Sequence, residues 1–87
     1  MFAYILRART RATQQSDELF RRFKETQGLL HAFSLQGVDD PEDGGVVAIW
    51  ESREAAERYL RESQLRQDVD RSIPNVTRTM YEVRDSK

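Results

Sequence analysis

No cysteine occurs in the chain, which excludes disulfide staples, thiolate catalysis and cysteine-ligated metal together. There is one histidine, His31, and with acids only scattered around it no metal-ligand set can be assembled. The four glycines form neither a phosphate-cradling loop nor a nucleophile elbow. Long apolar runs are also missing. The first one, Phe2 to Leu6, is short, and the basic residues follow it instead of preceding it, the reverse of a secretory signal. Nothing approaches the ~20 residues that span a bilayer, so no membrane and a cytoplasmic location are expected. Charge of one sign is lacking too: 14 basic and 15 acidic residues leave a net −1, which argues against a nucleic-acid partner.

What remains is 87 residues, the length of a single domain spanning 1–87. Hydrophobic residues make up 38% of them and charged residues 33%, so the core is expected to be small. A domain of this size hides only about 60–65% of its unfolded surface, and small unstapled domains often recruit a partner chain. The charges are unevenly spread. Arg7, Arg9, Arg11, Arg21, Arg22 and Lys24 crowd residues 1–24, whereas residues 39–57 carry seven acids and one base. Complementary surfaces are one consequence of such a division.

The pattern of side chains predicts a strand over 2–9, FAYILRAR, apolar on both faces at its start and therefore central in a sheet. A helix is expected over 14–27, with Thr13 or Ser16 as its cap, Leu19, Phe20 and Phe23 as its apolar stripe, and Gly28 as a left-handed stop. Residues 29–37 read as a second strand, and the Asp39–Gly45 cluster as a hairpin turn. The run VVAIWE, 46–51, is apolar without alternation, as in a strand buried on both faces. Ser52 caps a second helix with Ala55, Ala56, Tyr59 and Leu60 inward; its pattern continues past a kink near Ser63. After Ile73-Pro74-Asn75 a last strand, 76–84, carries Thr77, Thr79, Tyr81 and Val83 on one face and Arg78, Met80 and Glu82 on the other.

The order β-α-β-β-α-β specifies an α+β, ferredoxin-like sandwich: a four-stranded antiparallel sheet with two helices on one face. The other face is left bare although the first and third strands are apolar on both sides. Leaving those side chains in water forfeits about 1.5–3 kcal/mol each, so a second copy is expected to cover that face as a homodimer.

Four strings resemble the antibiotic biosynthesis monooxygenase family of the dimeric α/β-barrel superfamily: LFRRFKETQG (19–28), GLLHAFSLQG (28–37), DDPEDGG (39–45) and VVAIWESREAAERYLRES (46–63). The resemblance spans about residues 2–84. It implies pairing into a dimeric α/β barrel and an oxidoreductase that uses no flavin, haem or metal. In such proteins a phenolic polycyclic or polyketide-type substrate is deprotonated in an apolar pocket between sheet and helices. Its anion passes an electron to dioxygen, and the oxygenated product loses water to give a quinone. Where the family commonly has a histidine nine residues past the tryptophan, this chain has Tyr59; where a second histidine often follows, it has Gln64-Leu65. The haem-degrading relatives need a histidine in this later segment, and none follows His31, which excludes haem oxygenation.

The candidate catalytic residues are His31, Tyr59 and Arg7; the candidate substrate-binding residues are Trp50, Tyr81 and Tyr4. His31 is either a base or a strand histidine at the dimer face. Tyr59 is either a hydrogen-bond donor to a substrate oxygen or a packed member of its helix stripe. Arg7, mid-strand, is expected to be buried. A buried guanidinium needs an anion, either a substrate enolate or Glu51 or Glu82. Trp50, Tyr81 and Tyr4 either stack on a ring or fill the core. Arg9 and Arg11 are read as solvated. Three functions remain open: a cofactor-free monooxygenase acting on a small aromatic molecule, a non-catalytic ligand-binding or accessory dimer of unknown function, and a cyclase or isomerase on the same scaffold. Fold alone does not choose among them.

Overall fold

The computed structural model describes residues 1–87. Strand β1 (Phe2–Arg9) is followed by helix α1 (Gln14–Phe23), strands β2 (Leu29–Gln36) and β3 (Asp43–Trp50), helices α2 (Arg53–Glu62) and α3 (Gln64–Ser72), and strand β4 (Thr77–Glu82). The sheet order is β2-β3-β1-β4, antiparallel throughout. The ferredoxin-like arrangement expected from the sequence is therefore present, with β1 and β3 in the centre. β1 pairs Tyr4 with Ala48 on one side and with Met80 on the other. That register sets every face in the sheet.

Each helix is started by a side chain. Thr13 and Ser16 cap α1 reciprocally, each accepting from the other's backbone N–H. Ser52 Oγ accepts from Ala55 N at 3.1 Å, and Ser63 separates α2 from α3 by capping the latter. The kink expected at Ser63 is thus a full break, giving three helices. α1 stops at Phe23, four residues short of the expectation. Glu25 N and Thr26 N bond to Arg22 O and Phe23 O, so the chain tightens into i→i−3 turns there. The hairpin is shorter than its acidic cluster: β3 already begins at Asp43, and Asp40 Oδ1 accepts from Glu42 N at 3.0 Å in an Asx turn.

Gly28 adopts φ 88°, and a Cβ there would lie 2.6 Å from the Ala55 Cβ. The left-handed backbone lets the chain pass under α2 into β2. Gly28→Ala meets both the left-handed penalty of about 1–2 kcal/mol and this clash. A loss of about 2 kcal/mol or more in urea unfolding is expected.

Twelve residues are buried, none of them polar in class. Tyr4, Leu6 and Ala8 from β1, with Ala48 and Trp50 from β3, face Leu19, Phe23, Ala55, Ala56, Tyr59, Leu65 and Val69 of the helices. The aromatic centre is edge-on: Trp50 meets Phe23 at 5.9 Å and 75°, and Tyr4 at 6.5 Å and 84°. The opposite sheet face carries no helix. Its register aligns His31, Ile49, Ala3 and Tyr81 in one row and Phe33, Val47, Ile5 and Thr79 in the next. Phe33 is 55% exposed, and Leu35 and Tyr81 are exposed with it.

Candidate functional site

A cavity of about 90 Å³ lies between the helix-covered face of the sheet and α1, α2 and α3. Leu6, Ala8, Leu19, Phe20, Phe23, Val69 and Ile73 make its wall apolar. Exposed Arg11 and Ala12, in the connection between β1 and α1, mark its mouth, with Ser34 and Gln36 of β2 on the rim. Two phenols reach it, Tyr4 from β1 and Tyr59 from α2, their rings 6.3 Å apart and edge to face.

The two phenols differ. Arg78 Nε donates to Tyr4 Oη at 2.8 Å, which leaves the Tyr4 proton free to be donated elsewhere. Arg78 in turn sits 2.6 Å from Asp70 as an ion contact, and Asp70 also meets Arg66 at 3.2 Å. Burial raises the Tyr4 pKa, and the Arg78 cation works against that rise. Tyr59 is 4% exposed, and its hydroxyl has no hydrogen-bond partner. Burial raises its pKa far above the ordinary phenol value, and the neighbouring Tyr4 adds to this. Both groups are therefore neutral donors at any ordinary pH. No carboxylate or imidazole lines the cavity.

Only two of the six candidates named from the sequence meet here. Tyr59 and Tyr4 line the cavity. Trp50 stands behind it, fully buried, its ring 5.5 Å from that of Tyr59 and its indole N–H unpaired. His31, Arg7 and Tyr81 lie on the other face of the sheet, because they alternate out of phase with Tyr4, Ala32 and Met80. Arg7 is not buried as expected. Its side chain is 68% exposed, and its partner is Asp43 at 3.1 Å, neither Glu51 nor Glu82. Arg9 pairs with Asp40 at 2.8 Å. Two bases of the basic N-terminal stretch, Arg7 and Arg9, thus meet the acidic hairpin.

The alternation of the last strand puts Arg78 and Met80 on one face without saying which face packs on the core, and the structure makes it the inner one. Met80 carried the signal: an apolar side chain two residues away marks the even-numbered side of β4 as the one that packs on the core. Asp70 and Arg66, on α3, had no comparable mark.

No family model matches the chain, and no curated protein does. Solved structures match over nearly its whole length. SnoaB, a cofactor-independent oxygenase from Streptomyces nogalater, superposes with a TM-score of 0.77 at 16% identity, covering 98% of this chain and 94% of its own. A Deinococcus radiodurans protein carrying the antibiotic biosynthesis monooxygenase name gives 0.78 at 13% identity, covering 100% and 96%. A Nitrosomonas europaea protein of unknown function gives 0.72 at 13%, covering 99% and 91%. At these identities the likeness is one of architecture, and the chain has the fold shared by structures named as antibiotic biosynthesis monooxygenases.

Proposed function

We propose that this protein is a cofactor-independent monooxygenase that acts on a small phenolic aromatic or polyketide-type molecule in the cavity, working as a homodimer closed across the helix-free sheet face. One observation carries this reading: two phenols, Tyr4 and Tyr59, stand on the wall of an apolar cavity in the fold of a named cofactor-independent oxygenase.

The chemistry then follows from the donors. A phenolate oxygen accepts from Tyr59 and Tyr4, with the Arg78 cation behind Tyr4 strengthening its donation. The stabilised anion of an anthrone-type substrate gives one electron to dioxygen, and the radical pair combines into a peroxide anion at the former methylene carbon. A proton returns from water to give the hydroperoxide, which loses water: one oxygen atom remains as the new carbonyl, and the other leaves with the remaining C–H hydrogen and the returned proton. With no base on the cavity wall, the substrate's proton goes to water at the mouth. The rate is therefore expected to rise with pH along the substrate's own ionisation.

Oxygen uptake with an anthrone-type substrate tests this. Uptake above the buffer rate is expected for the wild-type protein, with a loss of about 10²–10³-fold in Tyr59→Phe, the scale of losing one oxyanion donor. Absence of uptake together with retained binding would instead support a non-catalytic ligand-binding dimer, the reading that the missing base favours. A cyclase or isomerase needs an acid–base pair that the cavity does not contain.

A further inference from the structure

Arg11 is the only charged side chain that lines the cavity. Its neighbours on the strand are both engaged, Arg7 by Asp43 and Arg9 by Asp40. Arg11 makes neither an ion pair nor a side-chain hydrogen bond. Asp40, an acid that its field reaches, is already held by Arg9 at 2.8 Å. Arg11 therefore stands unpaired at the mouth of an apolar cavity on whose wall Tyr4 and Tyr59 lie.

The size of the cavity gives Arg11 and the phenols an order. A cavity of about 150 Å³ takes a benzene ring, and this one measures about 90 Å³. An aromatic ring is therefore only partly enclosed, and a ligand that reaches Tyr59 extends outward past the mouth. Its outer end then lies beside Arg11 and the rim side chains Ser34 and Gln36, neither of which has a side-chain hydrogen bond. A planar guanidinium in this position suits a carboxylate, which it can hold by two parallel hydrogen bonds.

We infer that Arg11 selects the ligand: the cavity takes aromatic molecules with a phenolic or carbonyl oxygen at one end and a carboxylate at the other. This deepens the reading of the cavity as a ligand site and rests on it. Arg11 is exposed and contributes nothing to the core, so Arg11→Gln is expected to leave the fold intact.

The test is calorimetric titration of the full chain with 6-hydroxy-2-naphthoate and with 2-naphthol, which differ only in the carboxylate. In the wild-type protein the carboxylate is expected to bind about tenfold tighter or more at low salt, the scale of one charged hydrogen bond. Arg11→Gln is expected to erase that advantage and leave 2-naphthol binding unchanged. Equal binding of the two in the wild-type protein, or an advantage that survives Arg11→Gln, overturns the role of Arg11 while the cavity remains a ligand site. Failure of both molecules to bind the wild-type protein overturns that role and the ligand-site reading together.

Discussion

Phe33→Asp is expected to turn a dimer into protomers. In the isolated chain Phe33 is 55% exposed and lies in a row with Val47, Ile5 and Thr79. The protomer's own core does not need it. Against a second copy, by contrast, each such side chain contributes about 1.5–3 kcal/mol of apolar burial. A two-fold interface presents the same residue from both sides, so one substitution acts twice. Since about half of each Phe33 side chain is left to bury, the loss is about 1.5–3 kcal/mol, or roughly 10–10²-fold in the dissociation constant, before any cost of desolvating the new carboxylates. Sedimentation equilibrium at micromolar concentration reads this directly. A wild-type protein that sediments as a protomer, or a Phe33→Asp variant as tightly associated as wild type, would sink the dimer. The rest of the bare face points the same way: Leu35 and Tyr81 are also exposed on it, whereas the charged pairs Arg7–Asp43 and Arg9–Asp40 cluster at one end. The apolar rows are left free of unpaired charge.

The element order could be read from the chain because its signals are local. Capping by Ser52, the break at Ser63 and the glycine at 28 are each decided within a few residues. The composition of the site could not be read in the same way, because it depends on which face of β1 the helices cover. Phe2, Ala3, Tyr4, Ile5 and Leu6 are apolar on both faces, so the strand alone leaves Tyr4 and Arg7 equally eligible. The choice is made by pairing. Tyr4 opposite Met80 and Ala48 lies under the helices, and Arg7 opposite Gly45 and Thr77 does not. His31 and Tyr81 follow Arg7 to the outer face for the same reason. A bulge between Leu29 and His31 then lets Leu29 pack inward while His31 turns out. A single-residue phase difference thus divides one list of candidates between two surfaces.

The larger effect on stability is expected from Trp50→Ala. Trp50 is fully buried, and its ring contacts Tyr4, Phe23 and Tyr59 at 6.5, 5.9 and 5.5 Å. Truncating such a residue costs about 3–5 kcal/mol. A chain of this length has only roughly 4–13 kcal/mol of stability in total, and with twelve buried residues it belongs near the lower end. The variant should therefore be substantially unfolded at room temperature, by far-UV circular dichroism and by urea titration. Trp50→Phe separates packing from the cost of the unpaired indole N–H. It keeps an aromatic ring but removes a buried donor worth about 1–3 kcal/mol when unsatisfied. The two terms oppose each other, so a change below about 1.5 kcal/mol is expected. A Trp50→Phe variant as unstable as Trp50→Ala would mean that the indole N–H is satisfied in solution, and that the aromatic centre owes its stability to that bond instead of to its edge-on packing.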